Sequence, residues 1–62
     1  MKYVKDSFIG RRCIVYTYSQ YGELYEYARG TIISYRLGQV VVCFEDGMIS
    51  PWISTNNIGI LE

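Results

Sequence analysis

Short β-forming runs, separated by glycine at close and regular intervals, constrain this chain more than any other feature. From residue 10 onward the sequence runs Gly10-Arg11-Arg12-Cys13-Ile14-Val15-Tyr16, then a polar loop, then Ala28-Arg29-Gly30-Thr31-Ile32-Ile33-Ser34-Tyr35. Gln39-Val40-Val41-Val42-Cys43-Phe44-Glu45-Asp46-Gly47, Trp52-Ile53 and Ile58-Gly59-Ile60-Leu61 follow. Valine, isoleucine, tyrosine and phenylalanine fit a pleated surface, and Gly and Asp-Gly punctuate it. The spacing predicts one small, curled, all-β sheet, closed or nearly closed.

Alternation of side chains along a strand assigns faces. The first strand is expected at Arg12 to Tyr18, followed by a loop over residues 19–26 around Gly22. The second runs from Tyr27 to Arg36, and Gly30 within it marks a bulge or a close backbone approach. The third covers Gln39 to Glu45, with Val40, Val42 and Phe44 inward. Asp46-Gly47 carries the strongest signal for a type I′ hairpin turn. Met48 to Ile53 reads as a fourth strand, with Pro51 at an edge or bend. Ser54 to Asn57 forms a turn, with room for one turn of 3₁₀ helix, and Ile58 to Leu61 closes the sheet. The expected core is Val15, Ile32, Val40, Val42, Phe44, Trp52 and Ile60. Residues 1–9 form an N-terminal arm, residues 10–61 the barrel, and the 62 residues together one domain.

Composition narrows the chemistry. There is no histidine, the commonest general acid–base group, and no serine or threonine beside an evident base. The chain therefore reads as a binding protein and not as an enzyme. Two cysteines supply too few ligands for a structural zinc, so neither metal nor cofactor is expected. Alternation places Cys13 inward and Cys43 outward, as free thiols. The first residues contain no apolar run of the signal-peptide kind, and no stretch approaches the ~18 apolar residues of a membrane span. Isolated thiols without such signals fit a reducing compartment: cytoplasmic, or nuclear in a eukaryote.

Net charge is zero but unevenly spread: residues 1–12 carry +3 and the remainder −3. Lys2, Lys5, Arg11 and Arg12 are the candidate phosphate contacts, although a neutral domain makes a weak generic nucleic-acid binder.

The seven tyrosines are the other signal. Tyrosine suits half-wet positions, where the ring is buried and the hydroxyl keeps a partner. Alternation puts Ile14, Tyr16, Tyr18, Thr31, Ile33, Tyr35, Val41 and Cys43 on the outer face, which is then apolar where water is expected. A protein interface is predicted there and in the adjoining loop, formed by Tyr16, Tyr18, Tyr21, Tyr25, Ile33, Tyr35 and Val41. Its partner is a larger protein or a second copy.

The order of the Ala-Arg-Gly-Thr-Ile strand, the Val-Val-Val-Cys-Phe-Glu-Asp-Gly hairpin, Trp-Ile and the final Ile-Gly-Ile-Leu strand resembles the Tudor and SH3-like small-barrel superfamily over residues 10–61. That resemblance implies a five-stranded barrel with a 3₁₀ turn before the last strand. It also implies work as a protein-interaction module, or as an inhibitor or accessory subunit that docks on a partner, a form common among phage proteins. In a Tudor-type reader of methylated residues, the cage positions correspond to Tyr18, Tyr27, Phe44 and Asp46. An SH3-type groove implies instead that Glu23 and Glu26 select basic ligand residues.

Overall fold

A computed structural model of the chain describes residues 8–61. Five antiparallel strands form a curled half-barrel: β1 (Arg12–Tyr18), β2 (Leu24–Arg36), β3 (Gln39–Phe44), β4 (Ile53–Ser54) and β5 (Ile58–Ile60). The sheet order is β4-β3-β2-β1-β5, so β4 and β5 are its two margins. A 3₁₀ turn, Thr55–Asn57, links those margins. The Ser54 side chain caps it by accepting from the Asn56 N–H, and the cap explains why the polar Ser-Thr-Asn-Asn run stops β4.

The core is small. Cys13, Val15, Ile32, Val40 and Val42 pack together, with Phe8, Tyr35, Phe44, Ile53 and Ile58 partly buried against them. Phe8 was assigned to the arm, but its ring stacks on Tyr35 at 5.0 Å, and the Gly10 N–H donates to the Ile32 carbonyl. The fold therefore begins before residue 10; residues 1–7 of the expected arm lie outside the described residues.

Two of the expected core residues stand elsewhere. Trp52 is 38% exposed, because the chain bends at Pro51 and the indole turns outward beneath the Arg36 guanidinium, 4.3 Å from its ring centre. Ile60 lies opposite Cys13 on the core side, but β5 is a marginal strand and leaves it 39% exposed. Cys13, placed inward by alternation, is fully buried in the core.

A bulge in β2 overturns one facing assignment. Ile32 pairs with Val42 and Tyr35 with Val40, so Ile33 is an extra residue and the alternation slips by one. Tyr35 accordingly shares the inner face with Val40 and packs on the core, away from Tyr16 and Val41. Gly30 does mark a close approach. A Cβ there would overlap the Cys43 carbonyl oxygen and lie 2.7 Å from a Val42 methyl.

The turns are also distributed differently from expectation. The two-residue turn with positive φ at both positions is Leu37-Gly38 (φ 49° and 79°), not Asp46-Gly47. At the latter only Gly47 is left-handed, at φ 92°. There the Gly47 N–H donates to the Phe44 carbonyl, and the Phe44 N–H donates to the Met48 carbonyl. That pattern is a three-residue connection ending in a left-handed glycine. Ser19–Glu23 repeats it: the Gly22 N–H donates to Ser19, the Ser19 N–H to Glu23, and Gly22 has φ 84°.

The expected fourth strand is mostly irregular. Within Met48–Ile53 only Ile49 bridges to Cys43, and regular pairing with β3 begins at Ile53. Pro51 has no N–H to give the ladder.

Candidate functional site

The β1–β2 hairpin outgrows the sheet. β5 pairs with β1 only at Cys13, Ile14 and Val15, and β3 pairs with β2 only between Gly30 and Arg36. Beyond these limits, Tyr16–Tyr18 and Leu24–Glu26 pair only with each other. The result is a two-stranded ribbon ending in the Ser19–Glu23 turn. The Ser19 hydroxyl holds that turn by accepting from the Tyr21 and Glu23 N–H groups at 3.1 and 3.2 Å. β2 thus begins at Leu24, three residues earlier than the loop-to-strand boundary read from the sequence.

Tyr18, Tyr21, Leu24, Tyr25 and Tyr27 are each at least half exposed, and Tyr21 at the tip is 81% exposed. Tyr18 lies opposite Leu24 and Tyr25 opposite Thr17, so rings emerge from both faces of the ribbon. Tyr16 differs. Its ring lies over Gly59, where a Cβ would stand 2.9 Å from the ring carbon Cε2.

The seven candidate interface residues therefore do not form one face. Tyr18, Tyr21 and Tyr25 gather on the ribbon; Tyr16 and Val41 are half-buried on the sheet; Ile33 is exposed at the bulge; Tyr35 faces the core.

At the base of the ribbon a second bulge places Tyr27 as the extra residue between Ala28, opposite Val15, and Glu26, opposite Tyr16. Its ring meets Phe44 edge-on at 6.2 Å. An open cleft of about 780 Å³ lies between this stretch of β2 and the chain from Phe44 to Pro51. Tyr27, Phe44 and Asp46 all line it, and Tyr18 does not. Three of the four proposed cage positions are brought together, with two rings in place of three. Met48, Ile49 and Pro51 supply the apolar remainder of the wall; none of them is among the candidate site residues read from the sequence, where they belong to an expected fourth strand with Pro51 at an edge or bend.

The electrostatics are local. Glu26 receives two hydrogen bonds from the Arg29 guanidinium, at 2.8 and 3.2 Å, which hold its carboxyl below the usual carboxylate range and raise the arginine. Glu45 accepts from Arg12 at 3.3 Å. Asp46 accepts from the Met48 N–H at 2.9 Å, fixing the turn. Of the basic candidates, Lys2 and Lys5 lie outside the described residues, Arg11 and Arg12 are exposed at the start of β1, and Arg12 carries the contact to Glu45. Glu23, expected to select basic ligands, sits in the ribbon turn and is not part of the cleft wall.

Both cysteines are free, and burial pushes the Cys13 thiol up. Among the described residues no three potential metal ligands cluster, and no helix is long and apolar enough to cross a membrane. Comparisons with protein-family models, characterised proteins and solved structures found no match.

Proposed function

We propose that this protein is a protein-interaction module that docks through the projecting end of the β1–β2 hairpin and the cleft at its base. One observation carries the reading: five large apolar or aromatic side chains, Tyr18, Tyr21, Leu24, Tyr25 and Tyr27, stand exposed on a ribbon that no third strand supports among the described residues. An isolated two-stranded ribbon is marginal in water. Large contiguous apolar patches on soluble domains mark interaction sites, and tyrosine is prominent among the residues that carry binding energy. The binding is to protein and involves no catalysis.

Cross-linking and capture from the native cell lysate tests this, with wild type compared against Tyr18→Asp/Tyr25→Asp. A specific partner held by wild type and lost from a variant of equal melting temperature supports the reading. Equal capture by both proteins overturns it.

A second reading, as a reader of methylated side chains, is favoured by the edge-on contact of Tyr27 and Phe44 beside Asp46. A ring pair attracts an alkylated cation through its π faces. Trimethyl-lysine peptides binding more tightly than unmodified ones, with loss in Phe44→Leu, distinguish it. A nucleic-acid role has less support, since Glu45 engages Arg12. Binding to mixed DNA and RNA with a steep salt dependence would reinstate it.

A further inference from the structure

We propose that the free edge of β2, from Leu24 to Arg29, is completed by an extended segment of a partner protein carrying alternating apolar and basic side chains. The segment adds to the sheet as a strand. This rests on the reading of the protein as an interaction module and specifies how it binds.

The argument starts from strand lengths. β2 has 13 residues, whereas β3 has 6 and leaves β2 after the Gly30–Phe44 pair. β3 then turns away through the Glu45-Asp46-Gly47 connection. Among the described residues, 24–29 therefore have β1 on one side and no strand on the other. A row of backbone donors and acceptors along such an edge is a template for another strand.

Sheet edges are usually guarded by proline, short length, charge or a bulge, and of these this edge keeps the bulge at Tyr27. Leu24-Tyr25-Glu26-Tyr27-Ala28-Arg29 has no proline, and its two charges are turned on each other through the Glu26–Arg29 ion pair at 2.8 Å. The charge guard is thus neutralised within the chain.

The cleft gives the partner its chemistry. It runs along this edge, lined by residues 26–29 on one side and by the Phe44-to-Pro51 chain on the other. Its wall carries three carboxylates, Glu26, Glu45 and Asp46, and the Arg29 guanidinium; Arg29 pairs with Glu26, Arg12 reaches Glu45 at 3.3 Å, and Asp46 has no cationic partner among the described residues of the wall. Tyr27, Phe44 and Pro51 offer apolar area between them. In an added strand successive side chains point to opposite faces. The apolar set meets the rings, and the basic set, on the other face, meets the carboxylates of the turn.

The test uses capped, fluorescein-labelled hexapeptides of alternating valine and lysine, and of alternating valine and glutamate. The valine–lysine peptide is also made in two N-methylated forms, each blocking one of the two alternating sets of amides. In a strand addition only one set faces β2. Anisotropy titrations should therefore show binding by the valine–lysine peptide, at least tenfold weakening in one methylated form, and little change in the other. Glu45→Gln/Asp46→Asn, which keeps an acceptor for the Met48 N–H, should weaken the lysine peptide at least tenfold and remove its advantage over the glutamate peptide. Amide shifts should map to residues 24–29. Equal binding of both methylated forms overturns strand addition. Equal binding of the lysine and glutamate peptides overturns the basic partner. Concentration-dependent dimers that protect the 24–29 amides without peptide would show the edge closed by a second copy, which also overturns the proposal. In each of these cases, loss of the captured partner in Tyr18→Asp/Tyr25→Asp still stands as evidence for the interaction module, so the two readings fail separately.

Discussion

Ser50 takes the place of a strand partner for Val42. The Ser50 N–H donates to the Val42 carbonyl at 2.9 Å, and the Ser50 hydroxyl accepts from the Val42 N–H at 2.8 Å. The same hydroxyl donates to the Pro51 carbonyl at 2.8 Å. A side chain thus satisfies a buried β3 amide just where the chain leaves the ladder on its way to Pro51. Ser50 is the buried polar residue of the fold, and no buried side-chain polar atom lacks a partner among the described residues.

Ser50→Ala should strand the Val42 N–H. Leaving a buried donor unsatisfied costs about 1–3 kcal/mol. A domain this small is held by only about 3–5 kcal/mol, so a visible unfolded population is expected. Urea unfolding followed by circular dichroism measures it, and a midpoint equal to wild type would show that water replaces the hydroxyl.

Leu37→Asn should stabilise. Leu37 is 91% exposed, makes no core contact and sits at φ 49°. A left-handed conformation costs a branched L-residue roughly 1–2 kcal/mol, and asparagine tolerates it far better. Thermal melts should rise by about 4–8 °C for each kcal/mol recovered in a domain of this size. An unchanged or lower midpoint would mean that the leucine is held by contacts the isolated chain does make.

Gly30→Ala and Gly59→Ala should separate cleanly. At Gly30 the added methyl meets the Cys43 carbonyl, which is backbone of β3 and has nowhere to move. Overpacking of this kind costs about 1–3 kcal/mol, occasionally more. At Gly59 the nearest atoms belong to the Tyr16 ring, the far end of a side chain that can swing aside. Parallel denaturation curves should show the midpoint of the Gly30 variant clearly lowered and that of the Gly59 variant only mildly affected; equal losses would place the strain elsewhere.

These contrasts also mark what a sequence can disclose. The inward set Val15, Ile32, Val40 and Val42 follows from period-two alternation and the 3₁₀ turn from the polar Ser54–Asn57 run, although Ile14, assigned to the outer face of the first strand, is buried as well. Alternation has no term for an inserted residue. Ile33 and Tyr27 each shift the pattern by one, and Tyr35 is therefore misplaced by the very rule that places Ile32. The start of β2 was hidden for a different reason. Leu24, Tyr25 and Glu26 are exposed on both faces of the ribbon, so burial writes no periodicity into them. The type I′ turn was assigned to Asp-Gly because composition favours it, whereas Leu-Gly adopts it here between closely paired strands. Of the site, Tyr27, Phe44 and Asp46 were legible as a group; the opposite wall, from Met48 to Pro51, depends on where the chain goes after the turn.

Alkaline pH should destabilise the fold through Cys13. Burial raises its thiol above the ordinary value of about 8.5, so the folded state keeps a proton that the unfolded chain releases. The stabilisation tied to that proton is complete below the unfolded value and is lost as pH climbs through the folded one. Cys13→Ala should be less stable at neutral pH, from the lost packing, yet show a flatter decline as pH rises above the ordinary thiol value of about 8.5. Parallel alkaline slopes for the two proteins would assign the decline to tyrosines or to chain termini instead.

The final prediction separates the ribbon from the rest of β2. Tyr25 lies on the ribbon and Ile33, 42% exposed, lies at the bulge eight residues further along the strand, roughly 26 Å away at ~3.3 Å per residue. Neither belongs to the buried cluster, so Tyr25→Asp and Ile33→Asp should both fold. Only Tyr25→Asp should lose the captured partner, because an aspartate there replaces a ring of the exposed patch with a charge that must be desolvated on docking. If Ile33→Asp alone abolishes capture, the interface lies on the sheet face and the ribbon is not the docking element. If Ile33→Asp unfolds instead, the bulge residue is structural, and Tyr18→Asp against Tyr25→Asp, one on each face of the ribbon, then tells which side the partner occupies.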